Sequence, residues 1–161
     1  MHTKKEFIQD IKENEGIIYK VTRIYSNNTE DQNDLYQEIV YQLWKSYNSF
    51  KGNSKISTWM YRIALNTAIS NLKKEKKRGS QVSIDNLLLN QMNEVDTAME
   101  ERITLLYAHI KKLSIVERGI ILLHLEGKSY DEIAIITGFT NTNIGTRLAR
   151  IKQKLKTQII K

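Results

Sequence analysis

The chain contains no proline, so no position is barred from a helix interior by a closed ring and a missing N–H. Its helices can be punctuated only by glycine and by clusters of Asn, Ser and Thr, and the chain therefore reads as all-α. The 161 residues, 40% of them apolar, suit one ordinary domain or two small ones with real cores. The absence of cysteine excludes disulfides, thiolate metal sites and a cysteine nucleophile.

Periodicity places the helices. Phe7, Ile11, Ile18, Val21 and Tyr25 recur at helical spacing and predict one long amphipathic helix over 4–25, ended by Ser26-Asn27-Asn28-Thr29. A second helix over 31–48 turns Leu35, Ile39, Leu43 and Tyr47 inward and leaves Asp34, Glu38 and Lys45 on the opposite face. A third, over 56–77, is expected to bury Ile56, Trp59, Ile63, Thr67 and the Ala64/Ala68 pair, and it runs into the charged block Lys73 to Arg78. Residues 79–96 are rich in Ser, Asn and Gln around one apolar knot, Leu87-Leu88-Leu89, and read as a flexible linker. Such a linker, extended, spans on the order of 60 Å. Periodicity returns at Met99 and continues through Ile103, Leu106, Ile110 and Leu113, and four helices fit the remainder, over 97–112, 114–126, 129–137 and 141–158. The expected domains are thus 1–78 and 97–161, two helical lobes of three and four helices.

Lys and Arg number 25 against 18 Asp and Glu, a net charge of +7. An extended anion, nucleic acid or an acidic membrane surface, suits that balance, and so does a simply well-solvated basic surface. The amino-terminal MHTKKEFIQD has no apolar core of signal-peptide length and no segment approaches a membrane span, so the expected location is cytoplasmic.

The strongest local signal is SYDEIAIITGFTNTNIGTRLARIKQKL, residues 129–155. A helix-turn-helix needs a small residue where two helices cross, a glycine at the turn and an apolar anchor early in the second helix. Ala134, Gly138 and Ile144 stand at those places. Ser129 can cap the first helix with Glu132 completing a capping box, and Thr140 or Asn141 can cap the second. Ile144, Leu148, Ile151 and Leu155 form a buried stripe that leaves Asn143, Thr146, Arg147 and Arg150 outward. Arg can fork onto guanine and Asn can pair with adenine. Capping, turn and stripe in one register favour DNA binding over a plain helical hairpin.

FKGNSKISTWMYR, residues 50–62, sets Phe50, Trp59 and Tyr61 among Lys51, Lys55 and Arg62. Rings stack on unpaired bases while cations track phosphates. The same rings could equally be core residues, Trp59 more so than Phe50, which precedes Gly52. Against catalysis, His2, His109 and His124 are scattered, and neither a HExxH motif, an acidic metal cluster nor a glycine-rich phosphate loop appears. The chain is expected to be no enzyme and to use no cofactor, metal or small-molecule substrate.

Two segments carry a resemblance. DLYQEIVYQLWKSYNSFKGNSKISTWMYRIALNTAISNLKK and LSIVERGIILLHLEGKSYDEIAIITGFTNTNIGTRLARIKQKL resemble the second and fourth conserved regions of the bacterial extracytoplasmic-function (ECF) sigma factors of the sigma-70 family. Across nearly the whole chain the resemblance implies a promoter-specificity subunit of RNA polymerase. Its partners would be core polymerase, promoter DNA and an anti-sigma protein. Carried onto matching positions, it implies that Asp34, Leu35, Gln37, Glu38 and Trp44 dock on core polymerase. Phe50, Lys51, Gly52, Asn53 and Ser54 would capture a base flipped from the −10 element, with Asn66 completing the pocket. Trp59 and Arg62 would lie at the melting edge and along the upstream backbone. Thr142, Asn143, Thr146, Arg147 and Arg150 would read the −35 element in the major groove.

Three positions depart from the family pattern. Ser114 replaces a usual proline, Gly145 replaces the Lys or Val of the recognition helix, and Asn53 replaces an acidic loop residue. The alternatives are a stand-alone helix-turn-helix regulator, which has no use for the first lobe, and an RNA-binding or decoy protein, which has no use for Arg147.

Overall fold

The computed structural model describes residues 3–77 and 98–160. The segment read as a linker, 79–96 with Leu87 to Leu89, and Arg78 of the charged block lie outside the described residues. The described chain contains eight α-helices and one 3-10 turn, without a strand. Residues up to 77 belong to one compact unit and those from 98 to a second.

The first unit holds α1 (Lys4–Glu13), α2 (Glu15–Tyr25), α3 (Thr29–Ser46), the 3-10 turn Tyr47–Ser49 and α4 (Ile56–Lys77). The single helix expected over 4–25 is divided at Asn14. Its side-chain amide donates to the Asp10 carbonyl at 2.9 Å and its φ and ψ, −123° and 19°, leave the helical region. An Asn side chain offers the backbone this local alternative, and Gly16 two residues on adds little helical preference to oppose it. Asn28, which accepts from the Asp31 N–H at 2.7 Å, starts α3 two residues earlier than the pattern suggested.

The second, third and fourth helices pack on one another. Ile18, Val21, Ile39 and Leu43 are fully buried, as their periodicity required. The stripe expected on α4 is displaced. Its buried line is Met60, Tyr61, Ala64, Leu65 and Ala68, whereas Ile56, Trp59, Ile63 and Thr67 are only half-buried. Two alanines one turn apart let a helix seat closely, and seating α4 on that flat ridge leaves the bulky Trp59 at the rim. The polar groups enclosed here are satisfied: Thr22 donates to the Tyr19 carbonyl, Ser26 to that of Thr22, and Gln32 to the Thr22 hydroxyl.

The second unit comprises α5 (Ala98–Lys111), α6 (Ile115–Leu125), α7 (Tyr130–Thr137) and α8 (Asn141–Ile160). In α8, Ile144, Leu148, Ile151 and Leu155 are the inward stripe, and α5, α6 and α7 all pack against this helix. Met99, which opened the apolar period of α5, is exposed, as is Leu105, and burial on that helix comes only at Ile110. The proline-less start of α6 is closed by a full capping box between Ser114 and Glu117. Arg118 then donates to the carbonyls of Lys111, the last residue of α5, and of Leu113 in the turn that follows it.

Candidate nucleic-acid interface

In the second unit the turn is built from local chemistry. Ser129 and Glu132 form the reciprocal capping box at the start of α7. That helix stops at Gly138, whose φ of +86° lies in the left-handed region that a side chain disfavours. The Thr140 hydroxyl accepts from the Asn143 N–H at 3.1 Å and so caps α8, while the Asn141 side chain donates to Asp131 across the turn. Thr142, Asn143, Thr146 and Arg150 are exposed on one side of α8, and Arg147 is half-buried among them. Its Nε donates to Asn143 Oδ1 at 2.6 Å, and its guanidinium lies 4.3 Å from the centroid of the Phe139 ring. The sequence from Asn141 to Lys161 has no acidic residue, so the whole of this helix projects positive charge.

In the first unit the loop after the 3-10 turn carries Lys51, Gly52, Asn53 and Ser54, all exposed. Gly52 sits at φ +75° with nothing near a notional Cβ, so the backbone twist rather than crowding calls for glycine. Phe50 is half-buried because its ring packs on Trp59, centroids 5.1 Å apart. Trp59 in turn meets Tyr47, Tyr47 meets Phe7, and Phe7 meets Trp44, at 6.1, 5.0 and 5.0 Å. Beneath this run the Tyr47 hydroxyl donates to Asp10 Oδ2 at 2.5 Å. Burial first, then that hydrogen bond to a carboxylate, pushes the Tyr47 phenol well above its ordinary range. Trp59, Arg62 and Asn66 follow at helical spacing on α4, placing one ring, one cation and one amide along a single face. Arg62 and Asn66 are exposed.

The exposed face of α3 carries Asp34, Gln37 and Glu38, then Trp44, 45% accessible although Phe7 covers part of its ring. Leu35 does not belong with them. At 3% exposure it is a core side chain and can serve this face only by holding the helix from below. Tyr41, 55% exposed, does belong; its position three residues after Glu38 and three before Trp44 was the available signal. Phe7, Asp10 and Tyr47 were missed as supports of the loop, and Phe139 as the support of Arg147, since such contacts leave no trace in helical periodicity.

Residues 11–78 match the family described as Sigma-70 region 2, and residues 103–155 match Sigma-70, region 4. The ECF RNA polymerase sigma-E factor of Haemophilus influenzae is 30% identical over 151 residues, covering 86% of this chain and 79% of its own length. The RNA polymerase sigma factor SigV of Bacillus subtilis is 29% identical over 164 residues, 99% of this chain and 94% of its own. Among solved structures, the sigma factor RpoE of Bartonella quintana, seen with the anti-sigma factor NepR, has the same fold. Its TM-score is 0.78 at 21% identity, over 96% of this chain and 97% of that one.

A helix-turn-helix unit and an aromatic-loop unit, each matched to its own conserved region, define a DNA-binding transcription-initiation factor. The chain belongs to the ECF RNA polymerase sigma factors of the sigma-70 family.

Proposed function

We propose that this chain binds core RNA polymerase through the exposed face of α3, reads the −35 element with α8, and opens the −10 element by trapping an extruded base at the Phe50 to Ser54 loop. The observation that carries the reading is the loop's make-up. A preset ring, Phe50 braced on Trp59, stands beside exposed Lys51, Asn53 and Ser54. Extruding a base costs a few kcal/mol of pairing and stacking, and a protein offsets that cost by holding the base in a site available only when the strand is open. Lys51, Lys55 and Arg62 attract the phosphates, Phe50 offers a stacking surface, and Asn53, Ser54 and Asn66 offer hydrogen bonds to a base edge.

The same reading gives α8 to intact duplex. Thr142, Thr146 and Arg150 flank Arg147 on the acid-free helix, where phosphate contacts set the register and Arg147 meets a base. Asp34, Gln37, Glu38, Tyr41 and Trp44 then form the polymerase-docking face, an acidic rim around two rings. An anti-sigma protein is a further partner, as NepR is for RpoE. Among the described residues no helix is long and apolar enough to cross a membrane, and a protein that works with the polymerase does so in the cytoplasm.

Reconstituted transcription tests this. Start sites should appear only when the chain and core polymerase are both present. Asn66→Ala should lose activity on duplex promoters and keep it on templates carrying a pre-melted bubble. Equal loss on both templates would point to a folding defect and refute the role given to Asn66, and DNA binding with no polymerase-dependent start sites would refute the proposal in favour of a stand-alone regulator.

A further inference from the structure

Resting on the assignment of Arg147 to the −35 element, we infer that Phe139, with Asn143, sets the base preference of this sigma factor without reading a base itself, by fixing the plane of the Arg147 guanidinium. An arginine side chain has many rotamers, and holding it in one is a cost that binding must otherwise meet. Here two contacts meet that cost before DNA arrives. The Phe139 ring lies 4.3 Å under the guanidinium, and Asn143 Oδ1 takes the Nε hydrogen at 2.6 Å. With one face covered and Nε engaged, the donors left to Arg147 are its two terminal amino groups, side by side. That fork matches the O6 and N7 acceptors of guanine and no other base edge in the major groove.

Two consequences separate this arrangement from independent contacts. Asn143 has its side-chain carbonyl oxygen turned along its own helix onto Arg147, so its amide is oriented by the arginine rather than by an adenine edge. It belongs to the arginine's mounting. Phe139 stands at the second residue of the turn, immediately after the left-handed Gly138, where the chain reverses between α7 and α8. Its ring is half-buried rather than part of the closed core, so a change there loosens the guanidinium before it loosens the fold.

The test uses the full chain with core polymerase on a promoter library in which each base pair of the −35 element is varied. The variants are Phe139→Leu, which keeps an apolar side chain and removes the π face, Phe139→Tyr, which keeps the face, and Arg147→Ala. Phe139→Leu should reduce guanine preference at one base pair by about two- to fivefold, the worth of an exposed cation–π contact. Phe139→Tyr should restore it. In the Arg147→Ala background Phe139→Leu should change nothing further. A uniform fall across the library, or failure of Phe139→Tyr to rescue, would show a merely structural role and overturn the inference. A change at a different base pair that persists without Arg147 would also overturn it, because Phe139 would then touch DNA directly, through a thymine methyl. Should Arg147→Ala leave every −35 preference intact, the assignment of Arg147 itself fails, a separate result from any of these.

Discussion

The two units hold their nucleic-acid-facing groups by opposite means. In the second unit the contacts that shape the reading surface span short stretches of chain: Ser129 with Glu132, Thr140 with Asn143 and Asn143 with Arg147 lie three or four residues apart, and Phe139 with Arg147 and Asn141 with Asp131 lie eight and ten apart across one turn. In the first unit the loop is held by a relay of rings drawn from α1, α3, the 3-10 turn and α4, tied by a Tyr47 to Asp10 hydrogen bond across 37 residues of sequence. The second unit has a tie of equal sequence separation, Lys154 to Glu117 at 2.8 Å, but it lies two helical turns beyond Arg147 and shapes no reading group. On the proposed function, a loop that accepts an extruded base would gain from a rigid tertiary support, whereas a helix entering a groove is already rigid and would need only its side chains set.

The largest test of that contrast is Phe7→Ala. Phe7 is 6% exposed and touches both Trp44 and Tyr47, and truncating a buried phenylalanine costs about 3–5 kcal/mol. Denaturant unfolding should show the first unit weakened by that amount, and amide spectra should show Phe50 to Ser54 disturbed while Ile144 and Leu148 of the second unit stay unchanged. If the second unit's amides shifted as much as the first's, the two would not be separately stabilised.

Gly138→Ala probes the local side of the contrast. The left-handed conformation costs a non-glycine residue about 1–2 kcal/mol, and Gly138 holds it at φ +86° with open space around. The second unit should lose that stability, with Gly138→Asn losing less because Asn tolerates the region. A silent Gly138→Ala would mean that the turn relaxes to another geometry and that α8 is not fixed by it.

The legibility of the chain divides along the same line. Ser129 as a cap, Gly138 as the turn and the Ile144 to Leu155 stripe could all be seen in the sequence, because each rests on residues three to seven apart. The all-α class followed from helical periodicity uninterrupted by proline. What could not be seen rests on contacts between elements. Trp59 has the spacing of a core residue, and only the closer fit of Ala64 and Ala68 moves it to the rim. Asn14 breaks a helix whose apolar pattern runs straight through it, since a side-chain amide bonding to Asp10 outweighs periodicity at one residue. Phe139 lies in a turn, where no period applies, and its meeting with Arg147 depends on how α8 is set against that turn.

Glu117→Gln tests whether a long-range tie can matter to stability and not to reading. Burial would raise the Glu117 carboxyl, but hydrogen bonds from Lys154 and from the Ser114 backbone outweigh it, and its pKa is lowered. A depressed carboxyl contributes stability that is present above its unfolded value, about 4.3, and is lost as pH falls through the folded one. The native second unit should therefore weaken on acidification below that value. Glu117→Gln should be about 1 kcal/mol less stable at neutral pH and lose part of that acid sensitivity, with −35 preference unaltered. An altered base preference would mean that this tie, like that of Tyr47, reaches the reading surface.

Gly145→Ala should have the smallest effect and the opposite sign. Gly145 lies inside α8 and its φ is not positive, so the backbone gains nothing from glycine. A Cβ there would come 3.5 Å from Tyr130 Cε2, an ordinary van der Waals contact rather than a clash. Replacing glycine by alanine in a helix interior recovers up to about 1 kcal/mol, so thermal unfolding of the second unit should move upward by a few degrees. Paired with Gly138→Ala, the same chemical change seven residues away should destabilise. The signs differ because one glycine is required by backbone geometry and the other is not. A loss of stability at Gly145 would mean that Tyr130 cannot yield and that α7 and α8 are already at their closest approach, a packing constraint added to the short-range contacts on which that unit's reading surface depends.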